Sequence, residues 1–272
     1  MKIEKNHLIL KKLSFLFFIF LFSCSNSIKN DCSFLEYCIF NGTSVQEVAA
    51  LLEQRKFEEV KYLVKKNKIN INTSEPKYGL SLLMVSVSKR DYKVTKLLLE
   101  LGANPNQHDS NDGSSPIIIA AALENYPEES TQFLELLLKH GGNPNDEEIG
   151  PRQEGNTTRK KPLLEACSDV NERSTPLRKV QLLVNAGANI NYINEFGHFA
   201  LRQALFMEHY DVVLYLLKNG AKHDMIIVDR SKFQKDGKKI YLLDFLNEQS
   251  LLKTDKKFQQ RQLIYEFLKN EN

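Results

Sequence analysis

Four segments of the chain end in nearly the same way, and that repetition limits its possible folds more than any other feature. Residues 97–106 read LLLELGANPN, 136–145 LLLKHGGNPN, 182–191 LLVNAGANIN and 215–224 YLLKNGAKHD. Each is an apolar helix end, a glycine suited to the left-handed C-cap conformation, and a short polar exit. Ahead of each comes an opening of small and apolar residues: GLSLLMVSV at 79–87, GSSPIIIAA at 113–121, KPLLEAC at 161–167 and GHFALRQAL at 197–205. One short helix pair cannot bury its apolar face alone, so units repeated in this way must stack on one another.

The endings resemble the LLLxxGAxxN half of an ankyrin repeat, and the openings resemble its G-x-T-P-L-H-x-A-A half. The resemblance covers roughly residues 42 to 250. It implies an all-α ankyrin-repeat solenoid of about six helix pairs, with hairpin-like loops and terminal caps. Units are expected near 44–72, 79–106, 113–145, 160–191 and 197–224, with a C-terminal cap over 237–270. Spacing supports the register: Ser81 to Asn106 and Phe199 to Asp224 are each 25 positions apart. Ser115 to Asn145 and Lys161 to Asn191 are each 30 apart, so two adjacent units share a five-residue insertion. It falls around Asn125–Glu129 and Glu172–Pro176, where a proline stands at a plausible first helical position, and it predicts second helices about one turn longer. Ala120, Ala121 and Cys167 occupy the small-residue slots where helices meet. Ser44 to Glu47 reads as a capping box opening the first helix. A second helix, Phe57 to Val64, ends at Asn67 where glycine is expected. Residues 236–245 resemble another repeat opening. A closing helix over Phe258–Leu268 is expected to place Leu263, Ile264, Phe267 and Leu268 on one face.

The N-terminus follows a different plan. Lys2, Lys5, Lys11 and Lys12 precede an apolar run from Leu13 to Phe22, the layout of a secretory signal. The run is too short to span a bilayer comfortably, since that takes about 20 apolar residues. It stops at Leu21-Phe22-Ser23-Cys24, which resembles the lipobox of bacterial lipoproteins. There the cysteine is acylated and becomes the mature N-terminus. The alternatives are a plain signal peptide cut elsewhere, or an uncleaved anchor. Residues 1–23 are therefore read as a signal peptide, 24–41 as a polar tether and 42–272 as the repeat domain. Lipidation is expected at Cys24. Ser25 resembles the sorting preference for the outer membrane, which points to the periplasm and that membrane's inner leaflet. Cys32 and Cys38 could pair in an oxidising compartment; two free thiols packed as small apolar groups are the alternative.

The net charge of +3 over 272 residues is too mild for a nucleic-acid partner. No Gly-x-Ser-x-Gly elbow, phosphate loop or His-Glu-x-x-His motif is present, so an enzyme is not expected. No cofactor or metal is expected either. The resemblance instead implies binding of another protein by a monomer, through the hairpin loops and first helices. Those loops are Thr73–Tyr78, Gln107–Asp112, Asp146–Lys160 and Tyr192–Phe196. The third is the outlier in length, acidic at its start, basic at its end, and with almost nothing to bury; it is either functional or idle. Candidate partner-binding residues are Glu147, Glu148, Arg152, Arg159 and Lys160 in that loop, with Tyr192, and Lys89 and Asn125 on the first-helix side. Tyr78 and Tyr126 sit at comparable turns, and Phe196 is read as a plug at a loop base. Ankyrin lipoproteins of this kind include immunity proteins that inhibit secreted toxins; an envelope scaffold is the other reading.

Overall fold

The computed structural model describes residues 36–123, 127–151, 159–168, 176–232, 237–248 and 256–271. Cys24, Cys32, Asn125, Tyr126 and Arg152 therefore lie outside the described residues, as do the proposed signal and most of the proposed tether.

The described helices form six antiparallel pairs in chain order. They are α1 (Gln46–Glu53) with α2 (Phe57–Asn67), α3 (Leu82–Ser88) with α4 (Tyr92–Glu100), and α5 (Pro116–Ala122) with α6 (Pro127–Lys139). Then come α7 (Pro162–Cys167) with α8 (Pro176–Asn185), α9 (Ala200–Phe206) with α10 (Tyr210–Lys218), and α11 (Leu242–Glu248) with α12 (Lys256–Glu271). From α3 to α9 each first helix packs on the next first helix, and from α4 to α10 each second helix packs on the next second helix. The core is thus a continuous layer between the two rows of helices. Ala120, Ala121, Ala166 and Cys167 are fully buried there, where small side chains let backbones approach closely. The Cys167 thiol is free, and burial pushes its pKa far up.

Local chemistry sets the boundaries. Ser81 caps α3 by accepting from the Met84 N–H at 3.2 Å. Prolines open α5, α6, α7 and α8, where a missing N–H costs nothing. Gly102, Gly141, Gly187 and Gly220 end second helices with φ between 87° and 93°, a region that residues with a Cβ avoid. In the first unit Lys68 takes that left-handed place with φ 50°.

Several sequence expectations are corrected. Ser44 does not cap α1: the N-cap is Val45, without a side-chain bond, and Ser44 Oγ instead meets Thr73 Oγ1 at 3.0 Å. The packed region begins before residue 42, because Tyr37 and Phe40 of a short 3-10 turn are buried against α1. Of the two second helices expected to be a turn longer, α6 has 13 residues against 9 in α4 and α10, whereas the described part of α8 has 10. The closing helix buries Arg261, Ile264 and Leu268, while Leu263 stays 49% exposed. Cys38 is disulfide-bonded; its expected partner Cys32 lies outside the described residues.

A buried lysine holds neighbouring units together. Lys179 of α8, 1% exposed, donates its ammonium to the Ala121 and Leu123 carbonyls at 3.2 and 2.6 Å. These are carbonyls at the C-terminal end of α5, which a positive charge stabilises. No helix among the described residues is long and apolar enough to cross a membrane. Overpacking the buried layer is expected to be costly: Ala121→Leu should lower stability by about 1–3 kcal/mol, read as a shift of the urea midpoint. An unchanged midpoint would place Ala121 outside that layer.

Candidate partner-binding face

The polar exit of every unit leads into a finger that returns to the next first helix. Each finger is closed by a backbone bond. Glu75 N–H donates to Leu80 O, Asp109 to Ser114 O, Glu148 to Lys160 O, Asn194 to His198 O and Ile227 to Ile240 O. In the first four, the side chain of the closing residue is buried and turns back to bind the finger's own amides. Glu75 carboxylate oxygens accept from Lys77, Tyr78 and Leu80 N–H groups. Asp109 accepts from Asn111, Asp112, Gly113 and Ser114, and Asn194 Oδ1 from Phe196 and His198. Burial and the neighbouring Asp112 raise the Asp109 pKa, against the pull of its amide donors.

This frame reassigns the long third finger. Glu148 is 3% exposed and accepts from the Lys160 N–H at 3.0 Å, with the Lys160 ammonium at 3.2 Å. Burial opposes the Lys160 charge, but Glu148 and Glu165 outweigh it and raise its pKa. Arg159 donates to the Glu148 and Gly150 carbonyls. Asp146, 8% exposed, accepts from Ser115 Oγ and lies 3.2 Å from His108 Nε2. The expectation that this loop has almost nothing to bury is therefore corrected. Glu148 and Lys160 close its base as the matching pairs close the shorter fingers, and Arg159 adds side-chain bonds that those fingers lack. The second and third fingers also touch directly: Ile149 and Gly150 N–H groups donate to Gly113 and Asp112 carbonyls. A Cβ on Gly113 would sit 1.9 Å from Gly150 N, so glycine is required there.

Glu147 and Tyr192 do meet, as a bridge between the third and fourth fingers. The Tyr192 hydroxyl donates to Glu147 Oε1 at 3.0 Å. Burial, then the Glu147 bond, pushes its pKa up to about 12. The Lys161 ammonium lies 4.2 Å from the Tyr192 ring centroid and 3.4 Å from Glu147. Beneath this cluster is a cavity of about 250 Å³ lined by Pro144, Leu163, Leu164 and Ala200, with Lys161 and Tyr192 at its polar side. Lys161 was not among the sequence candidates. Its signal, a lysine just before the helix-opening Pro162, is too common to single out.

The remaining candidates disperse. Lys89 is exposed at the end of α3, with its ammonium 5.4 Å from the Tyr37 ring centroid. Phe196 is not a plug: it is 48% exposed on the fourth finger. Tyr78 is half-buried with Lys77 over its ring. Among the described residues no group of three or more His, Cys, Asp or Glu side chains is placed to hold a metal.

Two substitutions separate the base of the third finger from its tip. Glu148→Ala should cost about 1–3 kcal/mol, because it leaves the part-buried Lys160 N–H without its acceptor and removes the Lys160 ion pair. Replacing residues 151–158 with a short glycine-containing link should change stability by no more than about 0.5 kcal/mol. Urea unfolding of both variants is the check, and equal effects would contradict the division.

The sequence pattern of ankyrin repeats, in three copies, matches residues 47–148 and 117–226. An ankyrin repeat protein of Acanthamoeba polyphaga mimivirus is 27% identical over 154 residues, 51% of this chain and 26% of that relative, so the chain spans about a quarter of the relative's length. An ankyrin repeat domain from Acinetobacter baumannii superposes with a TM-score of 0.56 at 20% identity, covering 79% of this chain and 94% of the other. The ankyrin repeat protein EF0377 gives 0.51 at 23% identity, covering 73% and 89%. These solved structures share the fold, and the repeat pattern spans more than half of the sequence: the chain belongs to the ankyrin-repeat family.

Proposed function

We propose that the chain is a non-enzymatic protein-binding module held in the periplasm of a bacterial envelope by a lipid on Cys24. Ankyrin repeats serve as protein-interaction modules, and the binding half of the proposal is carried by one observation. The Glu147–Tyr192–Lys161 cluster stands over a cavity of about 250 Å³ with an apolar floor. Such a recess suits a single apolar side chain from a partner, with polar groups at its mouth to orient it. The anchoring half rests on the sequence alone: a basic start, a short apolar run and Cys24 at its end. Neutralising a secreted toxin is the form of binding that the likeness to ankyrin lipoproteins suggests. A tethered inhibitor needs only a binding face and a leash, and the catalytic motifs sought in the sequence are missing from it.

The anchor is tested by fractionation in a Gram-negative host, with a clickable fatty acid as label. The wild-type chain should take up the label and partition with membranes, and Cys24→Ala should lose both properties. Equal behaviour of the two forms would contradict lipidation. In the same cells, Tyr192→Ala should lower recovery of a crosslinked partner several-fold without shifting the melting temperature by more than a degree or two. Unchanged recovery would move the contact away from the cavity.

A further inference from the structure

Cations that the stack draws out of water are matched at one place after another. Lys179 and Arg261 donate to carbonyls at the ends of first helices. Arg159 donates to the Glu148 and Gly150 carbonyls, while Lys160 and Lys161 face Glu148 and Glu147. Arg202, half-buried on α9, is only partly matched. Its Nε–H donates to the Ile227 carbonyl at 2.8 Å, and its guanidinium carbon lies 4.5 Å from the Phe206 ring centroid. Ile227 is itself fixed at the base of the fifth finger, where β1 (Val228–Asp229) runs antiparallel to β2 (Lys239–Ile240).

The two terminal nitrogens of Arg202 meet neither a carboxylate nor another acceptor among the described residues. Acids of the adjoining elements are engaged elsewhere: Glu208 with Lys257, Glu248 with Arg230 and Asp229 with Ser231. Asp244 of α11 forms no ion pair with it. Burial alone lowers the Arg202 pKa, so the charge loses water without gaining a counter-charge. Its field still reaches the base of the fourth finger: burial lowers the His198 pKa, and the Arg202 charge lowers it further. Beside the open fork is an apolar surface. Phe206 is 39% exposed and is held edge-on by Phe245 at 5.4 Å between centroids. The bond to Ile227 and the Phe206 ring fix the guanidinium plane, which presets it for two parallel bonds to one carboxylate.

We infer that Arg202 is the seat for an Asp or Glu side chain of a protein partner, whose neighbouring apolar residue lies on Phe206. This rests on the reading of the chain as a protein-binding module and names the chemistry of what it binds. The carboxylate restores to Arg202 the counter-charge that burial denies it, and the apolar contact keeps water from the pair. The seat is on the helix whose first residue, Ala200, lines the Tyr192 cavity.

The test pans a random-sequence peptide library against the purified full chain and measures enriched peptides by fluorescence polarisation. Enriched peptides should carry Asp or Glu beside an aromatic or aliphatic residue. Arg202→Gln should weaken them about tenfold, equivalent to about 1.4 kcal/mol. Arg202→Lys should recover little of that loss, because an ammonium lacks the fork. Phe206→Ala should weaken them about threefold. The His198 imidazole, followed by NMR in the wild-type chain, should titrate at higher pH once a peptide is bound, because the carboxylate offsets the Arg202 charge. That reading needs no variant, so it holds whatever the substitutions do to stability. Enrichment of peptides without acids, binding indifferent to Arg202→Gln, or an unmoved His198 titration at saturation would overturn the inference. Inorganic phosphate that moved His198 equally at the same concentration would overturn the assignment to a protein carboxylate. Peptides lost on Tyr192→Ala but not on Arg202→Gln would move the contact to the cavity and leave the binding-module reading intact. A library that yields no binder would overturn both.

Discussion

A ladder of asparagines sets the register on which everything else in this stack depends. Asn72, Asn106, Asn145 and Asn191 each reach into the following unit with both ends of the side chain. The amide nitrogen donates to the carbonyl of Gly102, Gly141, Gly187 or Gly220, at 2.9 to 3.3 Å. The amide oxygen accepts from the N–H of Asn104, Asn143, Asn189 or Lys222, at 2.7 to 2.9 Å. Those four glycines are the ones with positive φ at the helix ends, so one conformation ends the helix and presents its carbonyl to the preceding unit. In the same Asn-x-Asn pairs the first asparagine closes a local turn, accepting from the N–H of the second. Each bond contributes about 0.5–1.5 kcal/mol, and its directionality fixes orientation where packing of the apolar layer alone would allow sliding.

With the units held in register, the fingers become comparable position by position, and the comparison separates structure from function. Glu75, Asp109, Glu148 and Asn194 occupy the same closing place and are all buried. An acid at that place acts as a local clamp whatever the finger's length. The third and fifth fingers keep the clamp or its backbone bond and add length beyond it. Extra chain beyond a closed base costs the fold little, since loop entropy grows only slowly with length. That is why variation in reach can collect on this side of the stack, next to the Tyr192 cavity and the exposed Phe196.

The fold was legible in the sequence because its signals are local and repeated. Gly102, Gly141, Gly187 and Gly220 mark four helix ends, and Pro116, Pro127, Pro162 and Pro176 mark helix starts. The ladder was written there too, as Asn-Pro-Asn and Asn-Ile-Asn, but reads as an ordinary polar exit until the next unit's carbonyl is in place. Glu148 was less legible. An acid inside a polar, charged stretch carries no mark of burial, and only its match to Asp109 and Asn194 in space shows that it is a clamp. The fifth finger was hidden for the opposite reason: its returning strand runs straight into α11, so residues 236–245 read as a repeat opening. Ser44 misled because its hydroxyl found Thr73, in the first unit's own exit, before it could cap α1. Of the site, Tyr192 and Glu147 were identified from sequence, while Lys161 was not.

Amide hydrogen exchange of the wild-type chain and Asn145→Ala tests the ladder directly. The N–H of Asn189 is exposed in position yet donates to Asn145 Oδ1 at 2.7 Å, so in the wild type it should exchange as slowly as amides of the neighbouring helices. In Asn145→Ala it should exchange many-fold faster, while the equivalent amide of Asn104, bonded to Asn72, stays protected. Fast exchange of the Asn189 amide in the wild type, or no change in the variant, would show that the register is held by packing of the apolar layer and not by the ladder.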